Sequence, residues 1–415
     1  MNTRYQQLRQ DFPRFEYRGV DYRVSKNEIS MQFHFTTGSY EFHPKMKLCF
    51  GKYVLSSLHQ KDIKGIIFQI GMIELISYWK CTCSPTLLIR PYRLSEEMES
   101  WWRKLYYHGL GEFFYQNKIE ATEADFMRFA YVEGCPEAST LSYPKVGNSQ
   151  RVIVPIGGGK DSVVTLETLR KEREVIPFII NPRGATLDCA RIAGFPDEND
   201  IVILHREIDP QLLELNKQGY LNGHTPFSAM LSFYTLLVSY GTDTRDVALS
   251  NESSANEPTI PGTKINHQYS KSLEYEEDFR YYVKEFLNDL NHYYSHLRPY
   301  TELQIAEMFA QHPQYFPVFK SCNAGSKENK WCCNCSKCLF AYIILSPFID
   351  DDTMISIFGE DLLDKPQLQQ YFDELCGIAP NKPFECVGTI DEVNKALDMI
   401  RESRKEKYLI KTKRY

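Results

Sequence analysis

The stretch RVIVPIGGGKDSVVTLETLRK, Arg151 to Lys171, decides the fold of this chain. Its first residues are rich in β-branched side chains and end at three glycines, which is typical of a strand that stops at a tight loop. Beyond the glycines, apolar residues recur at helical spacing, at Val163, Val164, Leu166 and Leu169. Glycine lets the backbone approach a ligand closely, and the first amides of a helix attract an anion. This strand–loop–helix unit therefore predicts a phosphate-binding site.

The spacing inside the loop excludes two common phosphate-binding motifs. A Walker loop requires a hydroxyl residue directly after its lysine, but Asp161 follows Lys160. It also requires an earlier glycine at the position that Val154 occupies. A dinucleotide-binding loop requires a third glycine, and Ser162 stands in its place.

The string GGGKDS, residues 157–162, instead resembles the Ser-Gly-Gly-x-Asp-Ser signature of the PP-loop ATP pyrophosphatases, with Gly157 replacing the first serine. Enzymes of that superfamily cleave ATP between the α- and β-phosphates and transfer AMP to an oxygen of the substrate. The resemblance implies that the departing pyrophosphate is cradled by the backbone amides from Gly158 to Ser162. A glycine-rich turn that binds no ligand is the structural alternative.

Two side chains of the loop carry the charges that such a site needs. Asp161 is a candidate Mg²⁺ ligand, because carboxylate oxygens suit that ion. Lys160 is a candidate catalytic residue, because its ammonium offsets the negative charge that develops on the leaving group.

Strand and helix patterns alternate downstream of the loop. We predict strands near residues 152–156, 175–181, 201–205 and 246–250, and helices near 162–172 and 227–240. Such alternation is typical of an α/β domain with a parallel sheet and helices on both faces. Ligands of these sheets bind beyond the carboxyl ends of the strands. Candidate ligand-binding residues are therefore those that follow predicted strands: Asn181, Arg183, His205, Arg206, Asn251 and Glu252. The predicted nucleotide contacts are Gly157, Gly158, Gly159, Asp161, Ser162, Asn181, Asn251 and Glu252.

Two further regions flank this α/β domain. Residues 15–55 alternate aromatic and β-branched runs with turn residues, and the stretches 66–80 and 96–109 have helical patterns. Residues 135–150 are rich in proline, serine and glycine, as in a linker. We predict an N-terminal α+β domain over 1–145, a PP-loop ATP-binding domain over 146–300, and a C-terminal, mostly helical, zinc-binding region over 301–415.

The C-terminal region contains a cysteine cluster. Five of the twelve cysteines lie in SCNAGSKENKWCCNCSKC, residues 321–338. Four of them have the spacing C-x9-C-x2-C-x2-C, so their thiolates can converge on one tetrahedral ion at about 2.3 Å. We predict a structural Zn²⁺ site at Cys322, Cys332, Cys335 and Cys338, with Cys333 as a spare that points away. An iron–sulfur cluster uses the same ligands and stays an open alternative.

Composition narrows the class of protein. The chain has 415 residues, of which 43% are hydrophobic and 25% charged, and its apolar stretches are too short to span a bilayer. Its polar start does not resemble a signal peptide, so we expect a soluble, cytoplasmic protein. The net charge is −6, and the last fifteen residues carry a local +5, which leaves an acidic body of about −11. That acidity argues against a general nucleic-acid-binding platform. The oligomeric state cannot be inferred from the sequence.

Three polar stretches are unlike a hydrophobic core. In NGHTPFSAM, Thr225 is the predicted N-cap and Pro226 the first helical residue. His224 would then project from a helix start. The other two stretches are NESSANEP, residues 251–258, and NHQYSKSLEYE, residues 266–276. Each is compatible with a solvated loop, but beside a phosphate loop the three together favour a polar substrate.

Seven motifs form a set that extends over most of the chain. They are GLGEFFY (109–115), GGGKDS (157–162), NGHTPFSAM (222–230), NHQYSKSLEYE (266–276), WCCNCSKC (331–338), LSPFI (345–349) and PFECVGT (383–389). This set resembles the ATP-dependent UDP-N-acetylmuramoyl-L-alanyl-L-glutamate epimerases of bacterial peptidoglycan synthesis. The resemblance implies inversion of the terminal L-glutamate of UDP-MurNAc-L-Ala-L-Glu to D-glutamate, with ATP converted to AMP and pyrophosphate.

Epimerisation requires acid–base groups on opposite faces of the α-carbon, or one group that reaches both faces. Cys386 is a candidate, because thiol and thiolate interchange near neutral pH. Glu385, His224 and His267 are alternatives, and the sequence does not choose among them. A role as a small buried hydrophobic residue is the structural alternative for Cys386.

Two other functions stay open at this point. A PP-loop enzyme that adenylates an RNA base would need a basic face and a reactive cysteine pair, for which the sequence offers Cys81 and Cys83. A non-catalytic nucleotide-binding module held together by zinc is the other alternative. The intact glycine, aspartate and serine positions of the loop argue against that module.

Overall fold

The computed structural model of the chain describes residues 3–53, 60–260, 262–263 and 265–413. It confirms the predicted α/β class. The chain divides into two compact units, each assembled from separate segments. The first unit comprises Met1–Arg151, Ile201–Val247 and Tyr269–Tyr293, and the second comprises Val152–Asp200, Ala248–Gln268 and Tyr294–Tyr415. The predicted domain boundaries near residues 145 and 300 stay a prediction.

The regular elements are numbered in chain order. The strands are β1 (Arg14–Val24), β2 (Glu28–Thr37), β3 (Tyr40–Phe42), β4 (Lys45–Cys49), β5 (Thr86–Ile89), β6 (Arg128–Tyr131), β7 (Asn148–Pro155), β8 (Glu174–Ile180), β9 (Val202–Glu207), β10 (Thr244–Leu249) and β11 (His292–Ser295). The helices are α1 (Thr3–Asp11), α2 (Gln60–Trp79), α3 (Glu96–Gly109), α4 (Gly111–Gln116), α5 (Lys160–Leu169), α6 (Gly184–Ile192), α7 (Pro210–Lys217), α8 (Phe227–Thr242), α9 (Leu273–Phe286), α10 (Glu302–Ala310), α11 (Ser336–Leu345), α12 (Asp351–Phe358), α13 (Gln369–Cys376), α14 (Ile390–Ile400) and α15 (Tyr408–Thr412).

A mixed sheet forms the centre of the first unit, with the strand order β9-β4-β2-β1-β5-β6 and β3 beside β2. Strands β1, β2, β4 and β9 pair antiparallel, whereas β5 and β6 add in parallel. Every second residue of β2 is buried, because successive side chains of a strand point to opposite faces. Helix α2 packs on β1 so closely that a Cβ at Gly71 would lie 2.0 Å from Tyr17 Oη. Only glycine fits this contact.

The decisive stretch of sequence forms β7, a glycine loop and α5, as predicted. Strand β8 follows and lies beside β7, and Ile156 N donates to Phe178 O at 2.8 Å. A helix that joins two neighbouring strands is the connection that parallel pairing requires. Helix α6, which begins at Gly184, was not predicted, because its short sequence has weak periodicity.

The described part of the chain beyond residue 301 contains only helical regular elements, α10 to α15. This agrees with the mostly helical C-terminal region that the sequence predicts. Helix α10 packs against α5, α11 and α14, so the glycine loop and the C-terminal helices belong to one hydrophobic core. Among the described residues, no helix combines the length and the apolar sequence needed to cross a bilayer.

Candidate functional site

The glycine loop has the geometry of a backbone cradle at the start of a helix. Gly158 has a φ of 81°, and a Cβ there would lie 3.0 Å from the backbone of Ala185 and Thr186. Gly159 is the N-cap of α5 and has no side chain to satisfy the first helical amides. The Ser162 hydroxyl donates to Gly159 O at 2.9 Å, which stabilises the turn. The unsatisfied amides and the positive end of the α5 dipole are the features that bind an anion.

Lys160 lies at the base of this loop between two carboxylates. Its Nζ donates to Asp161 Oδ1 and to Glu302 Oε2, and both Lys160 and Glu302 are buried. Burial by itself lowers the pKa of Lys160, but Asp161 and Glu302 outweigh it and raise that pKa. Lys160 therefore stays charged although it is enclosed.

Glu302 is a functional candidate that the sequence analysis missed. It is the first residue of α10, where Thr301 and Gln304 form a capping box, so its sequence context indicates only a helix start. Burial raises the pKa of Glu302, Lys160 opposes that shift, and the nearby Asp161 and Glu252 add to it. Its partner Lys160 lies 142 positions earlier in the chain. Sequence patterns relate residues only a few positions apart, so they do not indicate this pair.

A cavity of about 110 Å³ adjoins the glycine loop. One wall comes from Gly157 and the start of α6, and the other from the segment 320–329. Arg183 and Lys320 supply positive charge to its lining, and burial lowers the pKa of Lys320. The Asn329 Oδ1 accepts a 2.8 Å hydrogen bond from an amide of α6, which ties the two walls together. Arg183 was predicted as a strand-end candidate, whereas Lys320 was not.

Two of the other predicted strand-end residues of the second unit, Asn251 and Glu252, make internal hydrogen bonds. Asn251 is buried, and its Nδ2 donates to Ser295 Oγ at 3.1 Å. Glu252 is buried and accepts a 3.0 Å bond from Ser254 Oγ. Asn181 follows β8 with a φ of 48°. Their roles in nucleotide binding stay a prediction.

The four predicted metal ligands converge. The Sγ atoms of Cys322, Cys332, Cys335 and Cys338 all lie within 4.8 Å of one another. Hydrogen bonds from neighbouring thiols, Cys338 first, lower the pKa of Cys335 to about 5. The bond to Cys335 and burial raise the pKa of Cys338, and burial raises the pKa of Cys332. Cys333 points elsewhere and donates to Phe358 O at 3.1 Å, as predicted for the spare cysteine. Four converging sulfurs that come from loops and a helix start fit a tetrahedral ion.

The PFECVGT motif, residues 383–389, lies beside this metal-ligand cluster and the cavity. Glu385 Oε2 accepts a 2.8 Å hydrogen bond from Asn323 Nδ2, and Asn323 lines the cavity. Burial raises the pKa of Glu385, while Lys337 and His267 oppose the shift. Cys386 is half-buried, and its carbonyl accepts from Lys337 Nζ. The second unit thus brings together three of the four predicted acid–base candidates.

The fourth candidate, His224, lies in the first unit. Its Nδ1 is 3.4 Å from Glu112 Oε2, which joins the NGHTPFSAM and GLGEFFY motifs. The predicted N-cap at Thr225 is wrong, because Pro226 caps α8 and the helix begins at Phe227. The Thr225 hydroxyl instead accepts a 2.5 Å bond from the buried Lys80 ammonium, and a tertiary contact has replaced the local cap.

Two strand-end candidates of the first unit differ in their surroundings. Arg206 forms a buried ion pair with Glu74 at 2.7 Å, so its guanidinium is used inside the core. His205 lines an open cavity on the polar face of the sheet, next to Lys45 and Lys47. Neither side chain belongs to the unit that contains the glycine loop.

Comparison with known proteins agrees with the motifs. The family description "MurL N-terminal domain" matches residues 6–296, and "MurL C-terminal domain" matches residues 318–413. A protein of Micromonospora sp. is 35% identical over 349 residues, which cover 81% of this chain and 75% of the relative. A protein of Xanthomonas oryzae pv. oryzae is 33% identical over 373 residues, covering 86% and 80% respectively. Both relatives are named UDP-N-acetyl-alpha-D-muramoyl-L-alanyl-L-glutamate epimerase. With matches to both domains and to relatives along most of its length, the chain belongs to the MurL family.

Proposed function

We propose that this protein inverts the terminal L-glutamate of UDP-MurNAc-L-Ala-L-Glu to D-glutamate, through an acyl-adenylate, and releases AMP and pyrophosphate. The observation that carries the proposal is the similarity of nearly the whole chain to proteins named as epimerases of this muropeptide nucleotide. Such a step belongs to peptidoglycan precursor synthesis, and we place it in the cytoplasm, where ATP and nucleotide-linked precursors are available.

Adenylation explains why an epimerase would contain a glycine loop. Removing the α-proton of a free glutamate would build a second negative charge beside the carboxylate. Once that carboxylate is a mixed anhydride with AMP, its carbonyl is neutral and electron-poor, so the α-proton becomes abstractable. Hydrolysis afterwards returns the acid and AMP. ATP therefore serves to acidify the α-carbon.

The residues around the glycine loop fit the first half-reaction. The substrate carboxylate attacks the α-phosphate, and the amides at the start of α5 stabilise the pyrophosphate that leaves. The charged, enclosed Lys160 offsets the developing negative charge. Asp161 is partly exposed beside the loop and suits the Mg²⁺ that accompanies ATP. Arg183 and Lys320 of the adjoining cavity favour an anionic ligand, in keeping with a nucleotide.

The four cysteines would hold a structural Zn²⁺, which would cross-link the loop that carries Cys322 and Cys332 to the start of α11. Cys322 is both a predicted ligand and part of the cavity wall. The Lys320 amide donates to Gly158 O at 2.8 Å, so the segment that enters the cysteine cluster also contacts the glycine loop. Metal binding would therefore stabilise the nucleotide pocket as well as the C-terminal helices.

The proton transfer belongs to the second half-reaction. We assign Cys386 as the first candidate for the group that exchanges the α-proton, with Glu385 and His267 in the same unit and His224 in the other unit as alternatives. The raised pKa of Glu385 suits a carboxyl group that both accepts and returns a proton.

The RNA-modifying alternative is less well supported. It requires a reactive cysteine pair, but Cys81 and Cys83 are fully buried. Burial raises the pKa of Cys81 to about 12, so this cysteine does not supply a nucleophilic thiolate near neutral pH. The net negative charge of the chain outside its last fifteen residues also argues against RNA binding.

One experiment tests the proposal directly. The protein is incubated with Mg-ATP and UDP-MurNAc-L-Ala-L-Glu, and pyrophosphate, AMP and the configuration of the product glutamate are measured. Free L-glutamate and an RNA mixture serve as alternative acceptors. We expect pyrophosphate and D-glutamate only with the muropeptide nucleotide. Pyrophosphate release with RNA, or inversion without ATP, would contradict the proposal.

A further inference from the structure

The two carboxylates on Lys160 have different surroundings. The Asp161 side chain is 36% exposed, whereas the Glu302 side chain is only 4% exposed. Asp161 can therefore turn toward a ligand in the loop, while Glu302 is held inside the protein. An enclosed ammonium that loses one partner keeps its charge only if the second partner remains.

Glu302 is also fixed from its other side. Its backbone N–H donates a 2.7 Å hydrogen bond to Glu392 Oε1 at the start of α14. The other oxygen of Glu392 accepts from the Thr389 amide and hydroxyl, both at 2.9 Å, in a capping box. Thr389 is the last residue of the PFECVGT motif, so one chain of contacts connects that motif with Lys160.

The packing around Glu302 leaves it little freedom. A Cβ at Gly388, inside the same motif, would lie 3.0 Å from Glu302 Cγ and 3.1 Å from Glu392 Oε2. Helix α10 packs on both α5 and α14, the two helices that carry Lys160 and Glu392. The side chain of Glu302 is therefore closely packed where it pairs with Lys160.

We propose that Glu302 is a positioning residue that holds the Lys160 ammonium in place for pyrophosphate formation and links it to the 383–389 segment. The inference rests on the proposed function, since it assigns a role within the adenylating half-reaction. A lysine side chain is flexible, and a buried ionic partner removes that freedom before ATP binds. Because Glu302 keeps Lys160 charged, Asp161 is released to serve Mg²⁺. Glu302 itself contacts Lys160 and need not touch ATP.

A double-mutant cycle tests this role. Glu302→Gln keeps the shape of the side chain but removes its charge, and Lys160→Met removes its partner. We expect Glu302→Gln to lower the kcat of pyrophosphate formation on the order of 10–100-fold, the usual loss when a supporting residue is removed, with a smaller change in the KM for ATP. In the Lys160→Met background, Glu302→Gln should cause no further loss, because it acts through Lys160. Equal losses in both backgrounds, or wild-type kcat in Glu302→Gln, would overturn the inference.

A second buried glutamate provides the matched control. Glu167 lies on α5, the helix of Lys160, and is 3% exposed, with bonds to Tyr315 and Arg170. Glu167→Gln should reduce thermal stability comparably and leave kcat unchanged, which separates positioning from general destabilisation. If Glu302→Gln does not fold, Glu302→Asp is measured instead. This variant keeps the charge but moves it one methylene away from Lys160, so it should show the same loss of kcat. A wild-type kcat in Glu302→Asp would overturn the inference.

The outcomes separate this inference from the proposed function. A wild-type protein that forms no pyrophosphate with the muropeptide nucleotide refutes the function itself. The double-mutant cycle is then repeated with the affinity for ATP as the measured quantity. If Glu302 acts through Lys160, the losses of affinity in the two single variants should be non-additive in the double variant. Additive losses would refute the inference. A wild-type protein that forms pyrophosphate, with an unaffected Glu302→Gln variant, refutes the inference alone.

Discussion

Asn323 and Glu385, 62 positions apart in the chain, are joined by a 2.8 Å hydrogen bond from Asn323 Nδ2 to Glu385 Oε2. Asn323 belongs to the wall of the cavity beside the glycine loop, and Glu385 belongs to the PFECVGT motif. The proposed reaction needs these two regions in one site, because the carboxylate that is adenylated and the carbon that loses its proton are adjacent atoms of one glutamate. The bond holds the two regions together, as the proposed reaction requires.

Replacing Cys386 should separate the two half-reactions. We expect Cys386→Ala to form pyrophosphate with the muropeptide nucleotide at close to the wild-type rate, because adenylation uses the glycine loop. Inversion should fall by at least about 100-fold, the usual contribution of a general acid–base group. In deuterated water, the wild type should place deuterium at the glutamate α-carbon and the variant should not. Nuclear magnetic resonance of the product measures both effects.

The alternatives make the Cys386 result informative either way. An unchanged inversion rate would show that the thiol only packs, and Glu385→Gln, His267→Asn and His224→Asn would then be measured in the same assay. Absence of deuterium from the wild-type product would refute proton exchange altogether.

Replacing Asp161 should strongly reduce pyrophosphate release with little effect on folding. Its side chain is 36% exposed, so we expect Asp161→Ala to change the free energy of unfolding by less than about 1 kcal/mol. Turnover should fall on the order of 10²–10³-fold, because a charge that supports the transition state is lost. Asp188→Asn, which alters an ion pair with Arg191 on α6, is the control and should retain turnover. Normal turnover in Asp161→Ala would remove this carboxylate from the mechanism.

Metal analysis should find about one Zn²⁺ per chain, held by four thiolates. Cys335→Ser should lose the metal and unfold at a lower temperature, because structural zinc contributes directly to folding free energy. It should also weaken ATP binding, since the cavity wall at 320–329 enters the cysteine cluster. Cys333→Ser is the matched control: its hydroxyl preserves the bond to Phe358 O, so metal content should not change. Iron with a visible absorption band would overturn the zinc assignment.

Lys80 should make stability depend on pH in a defined direction. It is buried at the end of α2, and burial lowers its pKa from 10.5 to about 8. The folded protein thus favours the neutral amine, and the contribution of Lys80 to stability is fully present above pH 10.5 and lost as the pH falls through about 8. Lys80→Met removes the bonds to Thr225 Oγ1 and His224 O, so it should destabilise the protein by about 1–3 kcal/mol at high pH.

Urea unfolding at pH 7 and pH 10 measures this effect. The difference in stability between the wild type and Lys80→Met should be larger at pH 10 than at pH 7. Lys217→Met provides a control on an exposed lysine, whose difference should not vary with pH. A larger difference at pH 7 would mean that folding raises the pKa of Lys80 instead of lowering it.

Local sequence determined the elements of the site that depend on neighbours in the chain. The run before Gly157 and the periodicity after it specify β7, the glycine loop and α5, because strand and helix formation depend on residues two to four positions apart. The spacing of Cys332, Cys335 and Cys338 likewise brings three sulfurs together within a few residues. These predictions needed no knowledge of the fold.

Tertiary structure alone decided which distant groups meet. Glu302 forms an ion pair with Lys160, which lies 142 positions earlier in the chain. Lys80 donates a hydrogen bond to the Thr225 hydroxyl, which the sequence predicted as a helix cap. A buried charge must find a partner wherever packing places one, and burial is a property of the folded chain and not of any short stretch. For the same reason, the pairing of Asn323 with Glu385 could not be read from either motif. The sequence identified the glycine loop, and the fold selected the buried carboxylate that pairs with its lysine.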